Sequence, residues 1–302
     1  ELYTLPFERS LKGINRMNNK KIDTLVEDIY SLFTSDEEVN VSPDDLSKLA
    51  EEIVHSVSFA LKENHKKKKT LRLSLIGHPD RKIWYNLNKE GESTEEGLKG
   101  NDYIKFLYGH ILESLLVFLC KSAGHPVTDQ QKELKIGGVV GHQDARVDNV
   151  LVDFKSASSF SFKKFKEGAI FTDDPFGYIA QLSAYAQANK VKEAGFVVID
   201  KSSGEITYCP VHHMEMINAE ERINHLKKMV KSPILPDRCY DDIPDGKSGN
   251  RRLAVGCVFC EHKHDCWSSA NGGKGLRNFK YANSSKFLTH VERTPDVEEI
   301  YG

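Results

Sequence analysis

The chain has 302 residues, 39% of them hydrophobic and 28% charged, enough apolar material for a large core and too much for a disordered chain. A formal net charge of −2 excludes a protein that coats nucleic acid by bulk attraction, although a local basic channel over an acidic site remains compatible with it. The sequence reads as free of an apolar run near the ~20 residues that span a bilayer, and no signal peptide follows Glu1, so no membrane partner and a cytoplasmic location, in a bacterial or phage-infected cell, are expected.

In chain order, the first 70 residues read as a helical N-terminal region. Ile22, Leu25, Ile29 and Leu32 recur at helical spacing, as do Leu46, Leu49, Ile53 and Val57. Ser42-Pro43-Asp44-Asp45 is a good start for the second helix, which runs into the cationic stretch His65 to Lys69. Residues 71 to 87 predict a short apolar segment and a helix. The next helix is capped at Asn101 or Asp102 and is expected to bury Ile104, Leu107, Ile111, Leu115 and Phe118.

From Gly137 the pattern turns to β, with segments at 138–147 and 150–156. Asp174-Pro175 begins a helix that reaches about Asn189. Ala194 to Asp200 and Glu205 to Val211 flank Ser202-Ser203-Gly204 as a hairpin, and a helix over about 213–231 follows. The remainder is turn-rich. Its Gly246-Lys247-Ser248 lacks the strand and upstream glycine of a phosphate-binding loop and reads as a turn.

The β-hairpin carries the most chemistry. With Asp148-Asn149 as a two-residue turn, Val147 pairs with Val150, and counting outward sets Asp144 opposite Asp153 and His142 opposite Lys155. Facing carboxylates destabilise a strand pair unless a cation lies between them, and oxygen ligands suit Mg²⁺ or Mn²⁺. Strand alternation sends Asp153 and Lys155 to one face and Phe154 to the other. A carboxylate pair with a lysine is the set phosphodiester hydrolysis requires: a metal to polarise the phosphate and acidify water, and a cation to orient that water. A longer turn would substitute Asp148 for Asp144. His110 and Glu113 share a helix face, as do Gln181 and Tyr185.

Gly109-His110-Ile111-Leu112-Glu113, Gly141-His142-Gln143-Asp144, Val152-Asp153-Phe154-Lys155-Ser156 and Gln181-Leu182-Ser183-Ala184-Tyr185 together resemble, in order and spacing, the four motifs of the RecB-like branch of the PD-(D/E)XK nuclease superfamily. The resemblance covers roughly residues 71 to 270. It implies an α/β core of the restriction-endonuclease-like kind, a mixed central sheet flanked by helices, after the helical N-terminal region. It also implies a metal (Mg²⁺ or Mn²⁺) held by His110, Asp144, Asp153 and the Phe154 carbonyl, with Lys155 positioning the attacking water. Gln181 and Tyr185 would place the lysine and the DNA strand, and Glu113 would support a second metal or a salt bridge. The expected activity is exonucleolytic digestion of linear DNA of the phage replication and recombination type, with replication or recombination proteins as partners. The alternatives are a structure- or sequence-specific endonuclease of the same superfamily and a non-catalytic DNA-binding scaffold. Lys163, Lys164 and Lys166, interleaved with Phe162 and Phe165, form a candidate DNA-contacting loop.

Two residues separate Cys257 from Cys260, five separate Cys260 from Cys266, and Cys239 lies 18 positions before Cys257. Four thiolates at this spacing accept Zn²⁺ or a [4Fe-4S] cluster, and the spacing does not choose. Some RecB-like nucleases pair a similar C-terminal triplet with an earlier cysteine in a Cys-Pro-Arg setting, where this chain has His78-Pro79-Asp80-Arg81. His78, His262 or His264 are therefore further candidate ligands. Cys120 and Cys209 read as buried apolar residues. The expected division is residues 1–70 helical, 71–235 nuclease core, and 236–302 cysteine region and tail.

Overall fold

A computed structural model describes residues 20–36, 38–39, 41–62, 69–89, 100–282 and 284–300. The cationic stretch 65–68 lies outside the described residues. The first helices are α1 (Leu25–Thr34), α2 (Pro43–Lys62), α3 (Asp80–Asn88) and α4 (Gly100–Ser122). There follow β1 (Val127–Thr128), β2 (Glu133–Ile136), β3 (Val139–His142), β4 (Ala145–Val147), β5 (Val150–Ala157), α5 (Ser159–Lys166), α6 (Tyr178–Asn189), β6 (Glu193–Asp200), β7 (Ile206–His212) and α7 (Ala219–Lys231).

The central sheet runs β1-β4-β5-β6-β7, with β5 and β6 parallel and the other pairs antiparallel. A parallel pair needs a crossover, which α5 and α6 supply. One face buries Leu151, Phe196, Val198, Cys209 and Val211 against Phe162 and Phe165 of α5, Leu182 of α6 and Ile223 of α7. The other buries Val147, Val152, Phe154 and Val197 against Leu25 and Ile29 of α1 and Leu116, Val117 and Cys120 of α4. A mixed sheet flanked by helices is thus the architecture, and α1 is part of its core.

Several sequence expectations need correction. The segment 138–147 is interrupted: β3 leaves the central sheet and pairs with β2, so His142 stands across from Glu133 and not from Lys155. The backbone turns at Gln143, whose fully buried side chain donates to the Asp129 carbonyl at 3.0 Å and accepts from Asn189 at 2.8 Å. α6 begins three residues after Pro175, because the Asp174 carboxylate caps the backbone N–H groups of Gly177 and Ile179, both at 2.8 Å. α7 begins at Ala219, with Asn218 as its cap.

The face expected of α4 is also different. Ile104, Phe106 and Tyr108 are exposed, and burial is confined to Leu116, Val117, Leu119 and Cys120 at its far end. By length and composition α4 could cross a membrane, contrary to the sequence reading, but its C-terminal half is seated on the sheet.

The turn-rich tail contains a second sheet that periodicity did not reveal. It consists of β8 (Ile243–Pro244), β9 (Arg251–Arg252), β10 (Arg277–Tyr281), β11 (Ser284–His290) and β12 (Glu299–Ile300), ordered β12-β10-β11-β9-β8. Between its strands lie the single-turn helices α8 (Val255–Val258) and α9 (Lys263–Cys266). Gly246-Lys247-Ser248 is a turn, closed by Ser248 donating to the Asp245 carbonyl.

Candidate active site

The hairpin register places the site. Val147 pairs with Val150 and Ala145 with Val152, so Asp144 falls opposite Asp153. The Asp144 carboxylate accepts the N–H of Phe154 at 2.8 Å, which holds it against β5 where the β4 ladder has ended. Asp148 sits in the turn, faces away and bonds the buried His125 at 2.6 Å, so the two-residue turn removes it from the site.

Asp153 is 1% exposed, and Lys155 forms an ion pair with its Oδ2. Gln181 of α6 approaches Asp153 Oδ1 at 3.3 Å and the Tyr185 hydroxyl at 3.2 Å. Glu113 of α4 accepts from Gln131 at 2.7 Å, and the Gln131 N–H donates to the Asp144 carbonyl at 2.9 Å. The elements α4, the β2 entry loop, β5 and α6 therefore each deliver one part of a single polar cluster.

Electrostatics show how crowded this cluster is. Burial, reinforced by Asp153, pushes Glu113 up to about 7. Burial and then Asp153 also raise Asp144 well above the usual carboxylate range. Burial alone would lower the Lys155 ammonium, but Asp153 and Asp144 outweigh it and hold it above its ordinary value. Three carboxylates share one lysine. Such a set is short of positive charge and presents hard oxygen donors, the condition a divalent cation relieves.

The cluster opens into a cleft of about 1210 Å³ lined by His110, Glu113, Asp144, Gln181 and Tyr185, with Glu51, Glu52 and His55 of α2 on the wall that α2 contributes. His110 stands exposed at this cleft. Sequence reasoning missed Gln131 and Gln143, since neither lies in a periodic pattern, and the α2 residues, whose helix carries no motif. It also missed Tyr178. That residue shares a helix face with Gln181 and Tyr185 at i, i+3 and i+7, a signal that was available. The Tyr178 ring lies 5.2 Å from Lys155 Nζ.

The candidate DNA-contacting lysines lie on a helix and not a loop. Phe162 and Phe165 are buried, Lys164 pairs with Asp173 at 2.5 Å, and Lys166 pairs with Glu205 at 2.5 Å; Lys163 is exposed.

None of Cys239, Cys257, Cys260 and Cys266 is in a disulfide, and Cys239 lies against the backbone N–H of Lys82 in the first turn of α3. Burial raises Cys239 against the Lys82 N–H, which pulls the opposite way, and the other thiols add to it; burial raises Cys257 to about 11, the other thiols adding to it. His262 bonds Asn86 at 2.6 Å and stacks on Tyr85, while His264 packs edge-on against Phe287. Burial, then Lys82, lowers His78 to about 4, and its ring nitrogen lies 3.4 Å from Lys82. Among the described residues no three His, Cys, Asp or Glu side chains form a ready-made metal cage, at the carboxylates or at the thiols.

No protein-family model and no curated protein matches the chain. Among solved structures, it is similar to the protein SSO0001, with 13% identity, a TM-score of 0.39, and coverage of 73% of this chain and 95% of that one. It is also similar to a phage-related exonuclease from Haemophilus somnus 129PT, with 17% identity, a TM-score of 0.35, and coverage of 53% and 90%. An alkaline exonuclease from Laribacter hongkongensis gives 15% identity, a TM-score of 0.31, and coverage of 52% and 85%.

Proposed function

We propose that the chain is a divalent-metal-dependent nuclease that hydrolyses phosphodiester bonds of DNA. The observation that carries this reading is the convergence of Glu113, Asp144 and Asp153 on one lysine, beside an open cleft that Glu113 and Asp144 line. Asp144, Asp153 and Glu113 would hold Mg²⁺ or Mn²⁺, with the Phe154 carbonyl and His110 as further ligands. The bound ion would polarise the phosphate and make water nucleophilic near neutral pH.

The remaining chemistry belongs to the chain's own residues. Lys155 holds its proton firmly, so it acts as a fixed cation that orients water and offsets charge on the phosphate oxygens. Gln181 fixes the Asp153 carboxylate and is itself fixed by Tyr185. Phe154, on the far face of β5, anchors the strand in the core, so the two functional side chains project from a rigid element.

The mode of cutting we infer is exonucleolytic. Helix α2 adds a wall to the cleft, and a strand end enters a walled cleft more readily than the middle of a duplex. Metal-dependent digestion of end-labelled linear and closed circular DNA, beside Asp153→Ala, tests both parts. Loss of linear DNA alone, absent in the variant, is expected; cutting of circles would replace the exonuclease reading with an endonuclease. If Asp153→Ala cleaved as fast as the parent protein, the site would be wrong.

The thiol group is the second proposed metal centre. Burial, with neighbouring thiols adding to it, raises Cys239, Cys257 and Cys260, so their thiolates are disfavoured until a cation is bound, and Zn²⁺ or an iron–sulfur cluster supplies one. The backbone N–H groups of Lys82 and His262 already point at Cys239 and Cys260, favouring their charged forms.

A further inference from the structure

Helix α5 and its connection to α6 carry aromatic residues that neither the core nor the carboxylate cluster uses. Phe160 is 74% exposed, Phe176 53% and Phe171 36%. Large rings this open are unusual in a segment that otherwise buries Phe162, Phe165 and Ile170. Two observations tie them to the site.

The first is a run of rings. Lys155 Nζ stands over the ring of Tyr178 at 5.2 Å, and Tyr178 stacks on Phe176 with centroids 5.5 Å apart and an interplanar angle of 28°. Phe176 is the solvent end of a path that begins at the lysine beside Asp153. Tyr178 is braced from behind by Phe165 at 5.9 Å and Phe196 at 6.5 Å, so the platform is rigid.

The second is charge. Lys164 Nζ lies 5.2 Å over the Phe160 ring while pairing with Asp173, three residues before Phe176, which ties α5 to the segment that carries Phe176. Lys163 is exposed on the same helix. Exposed rings flanked by lysines are the elements with which proteins hold unpaired nucleotides: bases stack on the rings, and cations follow the backbone. A paired base inside a duplex cannot offer its face to such rings.

We propose that Phe160 and Phe176, with Lys163 and Lys164, form a stacking platform for unpaired nucleotides of the strand whose scissile phosphate lies at Asp153 and Lys155. This rests on the nuclease reading and deepens it: the preferred substrate is DNA with a single-stranded end. Tyr178 is a positioning residue that links the platform to the lysine.

The test compares a blunt duplex with the same duplex carrying a four-thymidine tail on either strand, using the full chain with Mg²⁺ or Mn²⁺. A parallel measurement follows the fluorescence of 2-aminopurine placed in the tail, which is quenched by stacking. The Phe160→Ala/Phe176→Ala protein should show a roughly tenfold lower kcat/KM ratio of tailed to blunt duplex, on the scale of alanine truncation at base-stacking rings. It should also lose the quenching, and Phe176→Trp should restore both. A tailed-to-blunt ratio equal to that of the parent protein would overturn the platform while leaving the nuclease intact. If the parent protein cleaved nothing, the nuclease reading would fall. Quenching by the parent and not by the double variant would then still uphold the platform, and absence of quenching would end it too. Both phenylalanines are exposed, so an unchanged melting curve is expected and checks that the variant is folded.

Discussion

At the scale of single residues, Lys155 has two roles that can be separated. It lies between Asp153 and the Tyr178 ring, and it counters three carboxylates. Lys155→Ala should abolish cleavage. It should also leave a buried carboxylate without its cation, a change that destabilises by about 3–5 kcal/mol when a buried pair loses one partner. The melting point in a chelator should therefore fall. Added Mg²⁺ or Mn²⁺ should then raise the variant's melting point more than it raises the parent's, because the ion takes over the missing charge. Absence of a metal-induced shift in both proteins would show that the carboxylates do not form a cation site.

A second residue-scale prediction concerns Asp80, which accepts from Arg222 at 2.6 Å and from His225 at 2.5 Å. Burial would raise its carboxyl, but the bonds from His225 and Arg222 hold it below the usual value of 3.8. A carboxyl lowered on folding stabilises the native state above its unfolded pKa, and that stability is lost as pH falls through the folded value. Asp80→Asn should therefore destabilise most near pH 6, with the difference from the parent protein shrinking below about pH 4. Denaturant midpoints across that range measure it; a difference independent of pH would remove the charge argument.

At the scale of elements, the readable parts were those whose pattern is local. The Asp148-Asn149 turn needs two residues at positive φ, which Asp and Asn tolerate, and both have it, at 50° and 67°. That turn fixes the register and with it the Asp144–Asp153 juxtaposition. The β6–β7 hairpin was legible for the same reason. The break at Gln143 was not, because it depends on Asp129 and Asn189, which are distant in sequence. Nor was the face of α4, whose apolar residues run around the helix, so that tertiary contacts choose the buried side. The β8–β12 sheet escaped notice because three of its five strands have two residues each, too short for any period to register.

One element-scale contact has a direct test. A Cβ on Gly77 would lie 2.3 Å from the Gly177 carbonyl oxygen, so the segment leading into α3 and the start of α6 touch backbone to backbone. Gly77→Ala should destabilise by roughly 1–3 kcal/mol or more, the scale of overpacking against atoms that cannot move aside. It should also lower activity, since α6 carries Gln181. A Gly77→Ala protein with parental stability would mean that this approach is looser than the contact implies.

At the scale of the whole molecule, α3 joins the two sheets. Arg222 of α7 donates to the Ile76 and His78 carbonyls and so grips the segment entering α3 from the core side. From the other side, Arg81 donates to the Pro236 carbonyl at 2.6 Å, Lys89 pairs with Asp265, and Tyr85 stacks on His262. The apolar core of the tail is small, built on Leu253, Cys257, Trp267 and Ala270, too little to hold a five-stranded sheet of short strands without reinforcement. A metal held by Cys239, Cys257, Cys260 and Cys266 would supply that reinforcement beside the N-terminal turn of α3. Cys260→Ser should then empty the centre and destabilise the tail by an amount of the order of 4 kcal/mol, the range reached by single changes that remove a metal. Protease cleavage should concentrate in residues 236–300, while the central sheet keeps its protection. Metal analysis and visible absorbance of the parent protein distinguish the two occupants, iron–sulfur being coloured and zinc colourless. If the variant kept the parent's metal content and proteolytic resistance, the cysteines would be ordinary free thiols, and the polar contacts of α3 alone would hold the tail.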